Sequence, residues 1–253
     1  MTSSETLAEL AAELARARAL LLLLDYDGTL VPFADVPEHA RPDEGLRALL
    51  SRLAARPATT VHIVSGRGCD TLERWLGTLP VWLHAEHGFW SRPPGGSWQG
   101  MPTPDLEWRA VARPILEDFA ARTKGSSIEQ KATSIAWHYR LVDPDFARYQ
   151  LGELRRTLLE RLRDEPVDLL DGELVLELRP HGVDKGRVVA PAMRSAPPGA
   201  TILAIGDDRT DEDLFAALPD DAVAIHVGGR ESVAQLRVRA WHEARALLER
   251  LVH

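Results

Sequence analysis

LLLLDYDGTLVPF, Leu21 to Phe33, runs an unbroken apolar stretch straight into two aspartates. An unpaired carboxylate is costly to bury, so a folded chain pairs it, places it on a metal or shifts its pKa. A short, wholly apolar run that breaks at Asp-Gly predicts a parallel-sheet strand covered on both faces, here Leu20–Leu24. Ligands of open α/β sheets bind at the carboxyl ends of such strands, so the aspartates mark a candidate site.

Working outward, "SSETLAELAAELARARA" before the strand reads as a helix capped near Ser3 or Ser4. After it, "PDEGLRALLSRLAARP" is helical in period, "TTVHIVSGR" is a strand ending in Ser-Gly-Arg, "CDTLERWLGTLP" a helix and "VWLHAEHG" another strand end. This alternation predicts right-handed βαβ units on a parallel sheet. "SRPPGGSWQG" has the composition of an exposed hairpin or loop.

The texture then changes. "PDLEWRAVARPILEDFAART" is a helix that Pro114 must kink or begin. "SSIEQK" and "TSIAWHYR" read as strands, "PDFARYQLGELRRTLLERLRD" as a helix, and "VDLLD" and "LVLELR" as a second strand pair around Gly172. One helix with two strands, given twice, predicts a compact α+β module with an antiparallel sheet. From "HGVDKGRVVAPAMRSA" the helix–strand alternation returns through "ATILAIGDD", "RTDEDLFAAL" and "AVAIHVG" to a final helix. The expected organisation is a Rossmann-like α/β core of residues 1–103 and 183–253 with an α+β cap, 104–182, inserted into it.

Composition narrows the function. With 45% hydrophobic residues the chain can build a real core, and its formal charge of −8 argues against binding a nucleic-acid backbone. The lone Cys69 excludes an internal disulfide and a multi-cysteine metal site. The leucine run is too short to span a bilayer, and the opening residues lack the features of a signal peptide, so a cytoplasmic protein without membrane contacts is expected.

Four strand ends carry polar groups: Asp25/Asp27, Ser65/Arg67, Glu86/His87 and Asp207/Asp208. In a parallel sheet they share one edge and should converge. Asp25 and Asp27 are two apart, on one side of an extended segment, and Gly28 lets the chain turn away. With Asp207 and Asp211 they make a hard-oxygen cluster suited to Mg²⁺ rather than Zn²⁺. Phosphoryl transfer needs a nucleophile, a proton donor, a cation and a phosphate-holding hydroxyl; Asp25, Asp27, Lys185 and Ser65 answer in that order, with Mg²⁺ between Asp25, Asp207 and the phosphate. Each motif alone has a plainer reading: Asp-x-Asp-Gly as a turn, Ser65-Gly66 as a cap, Lys185 as a solvated lysine. Their order and position at strand ends favour the site. His84, His87 and His226 lack metal-ligand spacing and read as structural.

"DYDGTL", "SGR", "DKG" and "GDDRTDED" resemble the four motifs of the haloacid dehalogenase superfamily of phosphohydrolases. The insert's "EQKATSIAWHYR" and "LELRPHGVDKG", with "GDDRTDEDLF", resemble the trehalose-6-phosphate phosphatase family, although Gln130 and Trp137 depart from its pattern. The resemblance implies Asp25 as nucleophile, Asp27 as acid/base with its backbone carbonyl on Mg²⁺, and Asp207 as the third protein ligand, supported by Asp208 and Asp211. It places Glu129, Lys131, Arg140 and Glu177 with the sugar; Gly66, Arg67 and His138 are expected to join them in binding the substrate, and a functional link to a trehalose-phosphate synthase is expected. Glu129 and Lys131 share a strand face, as do His138 and Arg140, which suits recognition of sugar hydroxyls by a cap that also excludes water. Two rivals are a phosphatase of a related sugar phosphate (glucosylglycerol or mannosylglycerate phosphate) and a non-catalytic sugar-phosphate sensor; the latter would have no use for a proton-transferring Asp27.

Overall fold

The computed structural model describes residues 1–34, 36–102, 105–172 and 174–252. Its contacts divide into two compact units, residues 1–100 with 184–253, and residues 101–183. The boundary expected between residues 103 and 104 lies outside the described residues.

The first unit alternates strands and helices from its start: α1 (Ser4–Arg16), β1 (Leu20–Asp25), α2 (Glu44–Ala55), β2 (Thr59–Val64), α3 (Cys69–Leu76) and β3 (Trp82–Ala85). The turn-rich stretch after it is a hairpin of β4 (Trp90–Arg92) and β5 (Gln99–Gly100), paired antiparallel at the sheet edge. In the second unit come α4 (Trp108–Arg122), β6 (Ser127–Gln130), β7 (Ile135–His138), α5 (Pro144–Arg161), β8 (Val167–Gly172) and β9 (Val175–Pro180). The first unit resumes with α6 (Val189–Ser195), β10 (Thr201–Gly206), α7 (Arg209–Ala216), β11 (Val223–Val227), β12 (Leu236–Val238) and α8 (Trp241–Glu249).

The larger sheet has the order β12-β11-β10-β1-β2-β3-β4-β5, and every pair from β12 to β3 is parallel. From β1 the chain builds outward in one direction through β2 and β3; from β10 it builds in the other through β11 and β12. The β1/β10 junction is therefore the topological switch point. The leucines of β1 explain why the strand lies at the centre. Leu20, Leu22 and Leu24 enter the core formed with α1, α2, α3 and α8, whereas Leu21 and Leu23 enter the core formed with α6 and α7. Full burial of each is worth about 2 kcal/mol, so a strand apolar on both faces is stable only between two helical layers.

Of the two readings of Pro114, the start of the helix falls away: the residue lies inside α4, where its missing N–H removes one helical bond. Two local details differ from expectation. The segment after Asp184 enters as a 3-10 turn, Lys185–Val188, capped by the Asp184 carboxylate accepting from Arg187 N–H at 3.2 Å, before α6 begins. β12 went unread because three residues are too few to show a period of two.

In the second unit the sheet order is β6-β7-β9-β8, antiparallel throughout. Ile135, Trp137, Leu176 and Leu178 bury one face against Trp108, Leu116, Leu154 and Leu158 of α4 and α5. Register sets Glu129 opposite Ala136 and Ala136 opposite Glu177, so both glutamates occupy the other face.

Candidate active site

Because β1, β2, β3 and β10 run parallel, their carboxyl ends bring Asp25, Ser65, Glu86 and Asp207 to one edge of the sheet. Asp25 is the last residue of β1 and is buried. Tyr26 turns into the core, its hydroxyl donating to Ala40 O at 2.8 Å, and Gly28 takes φ +80° as the chain leaves the strand.

Lys185 is buried between two carboxylates: its Nζ donates to Asp25 Oδ1 at 2.6 Å and to Asp211 Oδ1 at 2.7 Å. Burial alone would pull the lysine down; Asp211 and Asp25 outweigh it and hold the ammonium above its ordinary range. Asp211 Oδ2 accepts from the backbone N–H groups of Asp207 and Asp208, each at 3.1 Å. This is the reciprocal half of a capping box at the start of α7, with Asp208 as the cap. Sequence reading grouped Asp211 with the acidic cluster in a supporting role; the structure gives it its partners, Lys185 and the entry to α7 at once.

Asp207 receives the Thr29 hydroxyl on Oδ1 at 3.1 Å. Ligand atoms of Asp25, Asp207 and Asp211 all lie within 4.8 Å of one another. Burial, then Asp211, pushes Asp25 up to about 7; burial, then Asp25, pushes Asp207 up to about 10. Three crowded carboxylates facing one ammonium leave excess negative charge that a dication would relieve, and an all-oxygen donor set suits a hard ion. Asp25 and Asp207 retain lone pairs beyond the bonds described, whereas Asp211 already accepts three.

Asp27 stands apart from that cluster. Arg67 grips it with two parallel bonds, Nε to Oδ2 at 2.7 Å and Nη2 to Oδ1 at 2.6 Å, while the guanidinium lies over the Trp75 ring. The Ser65 hydroxyl accepts from Arg67 N–H at 3.2 Å. Glu86 and His87, the expected neighbours of this loop, are buried and both take left-handed φ, 47° and 58°. Such backbone costs of order 1–3 kcal/mol per residue.

On the smaller sheet the polar side chains form two sets. Lys131 Nζ and Ser134 Oγ both donate to Glu177 Oε1, at 3.0 and 2.6 Å; Ser134 and Glu177 are buried and Lys131 partly so. His138 Nε2 bonds Glu129 Oε2 at 2.9 Å, and that bond, against the opposing effect of burial, keeps the Glu129 carboxyl below its usual range. Arg140 lies in the turn after β7, half-buried. Sequence reasoning missed Thr29 and Ser134, which carry no charge, and the buried Arg179 on β9. The Asp-Gly-Thr order was the one available signal for Thr29.

The profile of the trehalose-phosphatase family matches residues 23–241. Among curated proteins, the bifunctional trehalose-6-phosphate synthase/phosphatase of Thermoproteus tenax is 44% identical over 243 residues, 96% of this chain and 33% of its own length. This chain thus spans about a third of that relative. Among solved structures, the C-terminal domain of the trehalose-6-phosphate phosphatase of C. albicans superposes with a TM-score of 0.91 at 27% identity, covering 100% of this chain and 98% of its own. A haloacid dehalogenase-like hydrolase from Bacteroides thetaiotaomicron, 16% identical with a TM-score of 0.67 over 92% of this chain and 99% of its own, shares the fold. The parallel core, the acidic switch point and the match across most of its length lead to one conclusion: this chain belongs to the trehalose-phosphatase family.

Proposed function

We propose that the protein hydrolyses trehalose 6-phosphate to trehalose and phosphate. The observation that supports it most is the buried Asp25–Lys185–Asp211 chain beside Asp207 at the β1/β10 switch point, at the strand edge where such sheets bind ligands.

In this reading the Asp25 carboxylate attacks phosphorus and the bond from phosphorus to the sugar oxygen breaks, leaving an aspartyl phosphate. Asp27 gives its proton to the departing oxygen, then takes one from the water that attacks the aspartyl phosphate, which frees phosphate and restores Asp25. For Asp27 to reach the leaving oxygen, at least one of its two bonds to Arg67 must open. Lys185 offsets charge on Asp25 and on the phosphoryl oxygens, and Ser65 with the Gly66–Arg67 backbone holds the phosphate. Mg²⁺ would be held by Asp25, Asp207 and the Asp27 backbone carbonyl, supplying charge neutralisation for a dianion among carboxylates. Glu129, Lys131, His138, Arg140 and Glu177 are assigned to the sugar. The same reading places the protein in the cytoplasm and links it functionally to a trehalose-phosphate synthase, an activity the T. tenax relative's name joins to a phosphatase.

The test is phosphate release from a panel of sugar phosphates, with Mg²⁺ and after exhaustive chelation. Trehalose 6-phosphate should be preferred, and activity should vanish with chelation and return with Mg²⁺. Full activity without metal removes the metal assignment; preference for another sugar phosphate removes the substrate.

A further inference from the structure

The Glu86–Gly88 turn touches two parts of the active site that the chain supplies from distant positions. Three backbone bonds lace its segment to the Ser65–Arg67 loop: Ser65 N–H donates to His84 O at 2.9 Å, His87 N–H to Ser65 O at 3.0 Å and Glu86 N–H to Arg67 O at 3.0 Å. The His87 imidazole lies directly against Gly66, where an added Cβ would stand 2.7 Å from Cε1 and 2.8 Å from Nε2. On the other side, Gly88 at φ +90° meets Val188, whose Cγ2 would stand 2.6 Å from a Cβ there. Val188 closes the 3-10 turn that begins with Lys185.

Left-handed backbone at two consecutive non-glycine residues persists only where the surroundings over-determine it, and it gathers at functional sites. Here the surroundings are the hydroxyl loop on one side and the ammonium-bearing turn on the other. We infer that the Glu86–Gly88 turn is a wedge that sets the spacing of these two elements, and that His87 is its positioning residue, the ring against Gly66 fixing where Ser65 and Arg67 face a phosphate. The inference rests on the phosphatase reading. It extends that reading to a histidine without ligand spacing and without a place in the chemistry.

The experiment compares the parent with Gly66→Ala, His87→Gly and the double variant, using an aryl phosphate as substrate, inorganic phosphate as inhibitor and thermal unfolding as the control. His87→Gly keeps the left-handed backbone accessible but removes the ring. It should lower kcat about tenfold and weaken inhibition by phosphate, with a Tm close to the parent's; a displacement near 1 Å can cost roughly a hundredfold. Gly66→Ala should lose about a hundredfold through its clash with the ring. The double variant should regain at least about tenfold over Gly66→Ala, because the obstructing ring is gone. His87→Asn, which tolerates left-handed φ, should fall between parent and His87→Gly, and it serves if the glycine variants fail to fold. An active parent with His87→Gly and His87→Asn at parental kcat, or a double variant no better than Gly66→Ala, overturns the inference alone. A parent inert toward every phosphate ester overturns the phosphatase reading and this inference with it. Turnover of the aryl phosphate without turnover of trehalose 6-phosphate removes only the sugar assignment.

Discussion

Asp25 and Asp27, two residues apart, sit in different company: one against a buried ammonium, the other in the grip of a partly buried guanidinium. That difference separates their predicted roles. Asp25→Asn removes both nucleophile and anionic ligand and should abolish turnover. Asp27→Asn should cut kcat by about 10²–10⁴ while sparing inhibition by phosphate better than turnover, since it removes the proton transfer and the paired grip of Arg67 but leaves Asp25 and Lys185 in place. Steady-state kinetics with a phosphate inhibition series tests both, and near-parental phosphate release by Asp25→Asn would contradict the covalent route. A second residue-scale prediction concerns His62 and His84, buried and bonded Nδ1 to Nε2 at 2.9 Å, with Ser91 Oγ 2.8 Å from the other nitrogen of His84. Burial holds both rings low, His84 at about 3, and His84 further disfavours charge on His62. Unfolded histidines titrate near 6.5, so the folded protein is fully stable, in this respect, above that pH. It loses stability as pH falls from there toward 3, by up to about 1.4 kcal/mol per pH unit for each ring. Urea unfolding between pH 7.5 and 5 should show this decline, and His84→Gln should make it shallower. An unchanged slope in the variant would remove these rings as its cause.

Among elements, α7 shows how a helix start can serve both stability and a site. Asp208 caps it, accepting from Arg209 N–H at 2.6 Å, and Asp211 completes the box while holding Lys185. Asp208→Ala should cost about 1 kcal/mol in urea unfolding. Its effect on kcat should stay small, because Asp211 keeps the Asp207 N–H and Lys185 as partners. Loss of activity as large as in Asp25→Asn would place Asp208 in the chemistry itself. β1 teaches a related lesson. Its alternation between two cores was legible from an apolar run with no polar face, because only a strand between two helical layers can be apolar on both sides. Pro114 left two readings open, an interior position or the start of the helix, and the burial of Trp108, Ala112, Leu116 and Phe119 along one helix decided for the interior.

For the whole molecule, the division of labour between the two units is open to a direct ratio test. Glu177→Ala or Lys131→Ala breaks a partly buried ion pair at 3.0 Å and leaves polar groups without that partner, at roughly 1–3 kcal/mol each. kcat/KM for trehalose 6-phosphate should therefore fall about ten- to a hundredfold, while a small aryl phosphate should be hydrolysed almost as by the parent. Equal losses on both substrates would show that these side chains support the fold rather than the sugar. The sequence by itself determined the order of elements, the apolar strands, the change of texture at the insert and the four motif positions, because period, turn chemistry and composition are local properties of a chain. Tertiary structure alone decided the partners. Lys185 reaches Asp25 across 160 positions and Arg67 reaches Asp27 across 40. Asp211 takes Lys185 as its partner within the acidic cluster, and His87 comes to rest on Gly66. Those pairings follow from which strands lie side by side and where each turn ends, and strand order is a property of the folded sheet that no local pattern carries.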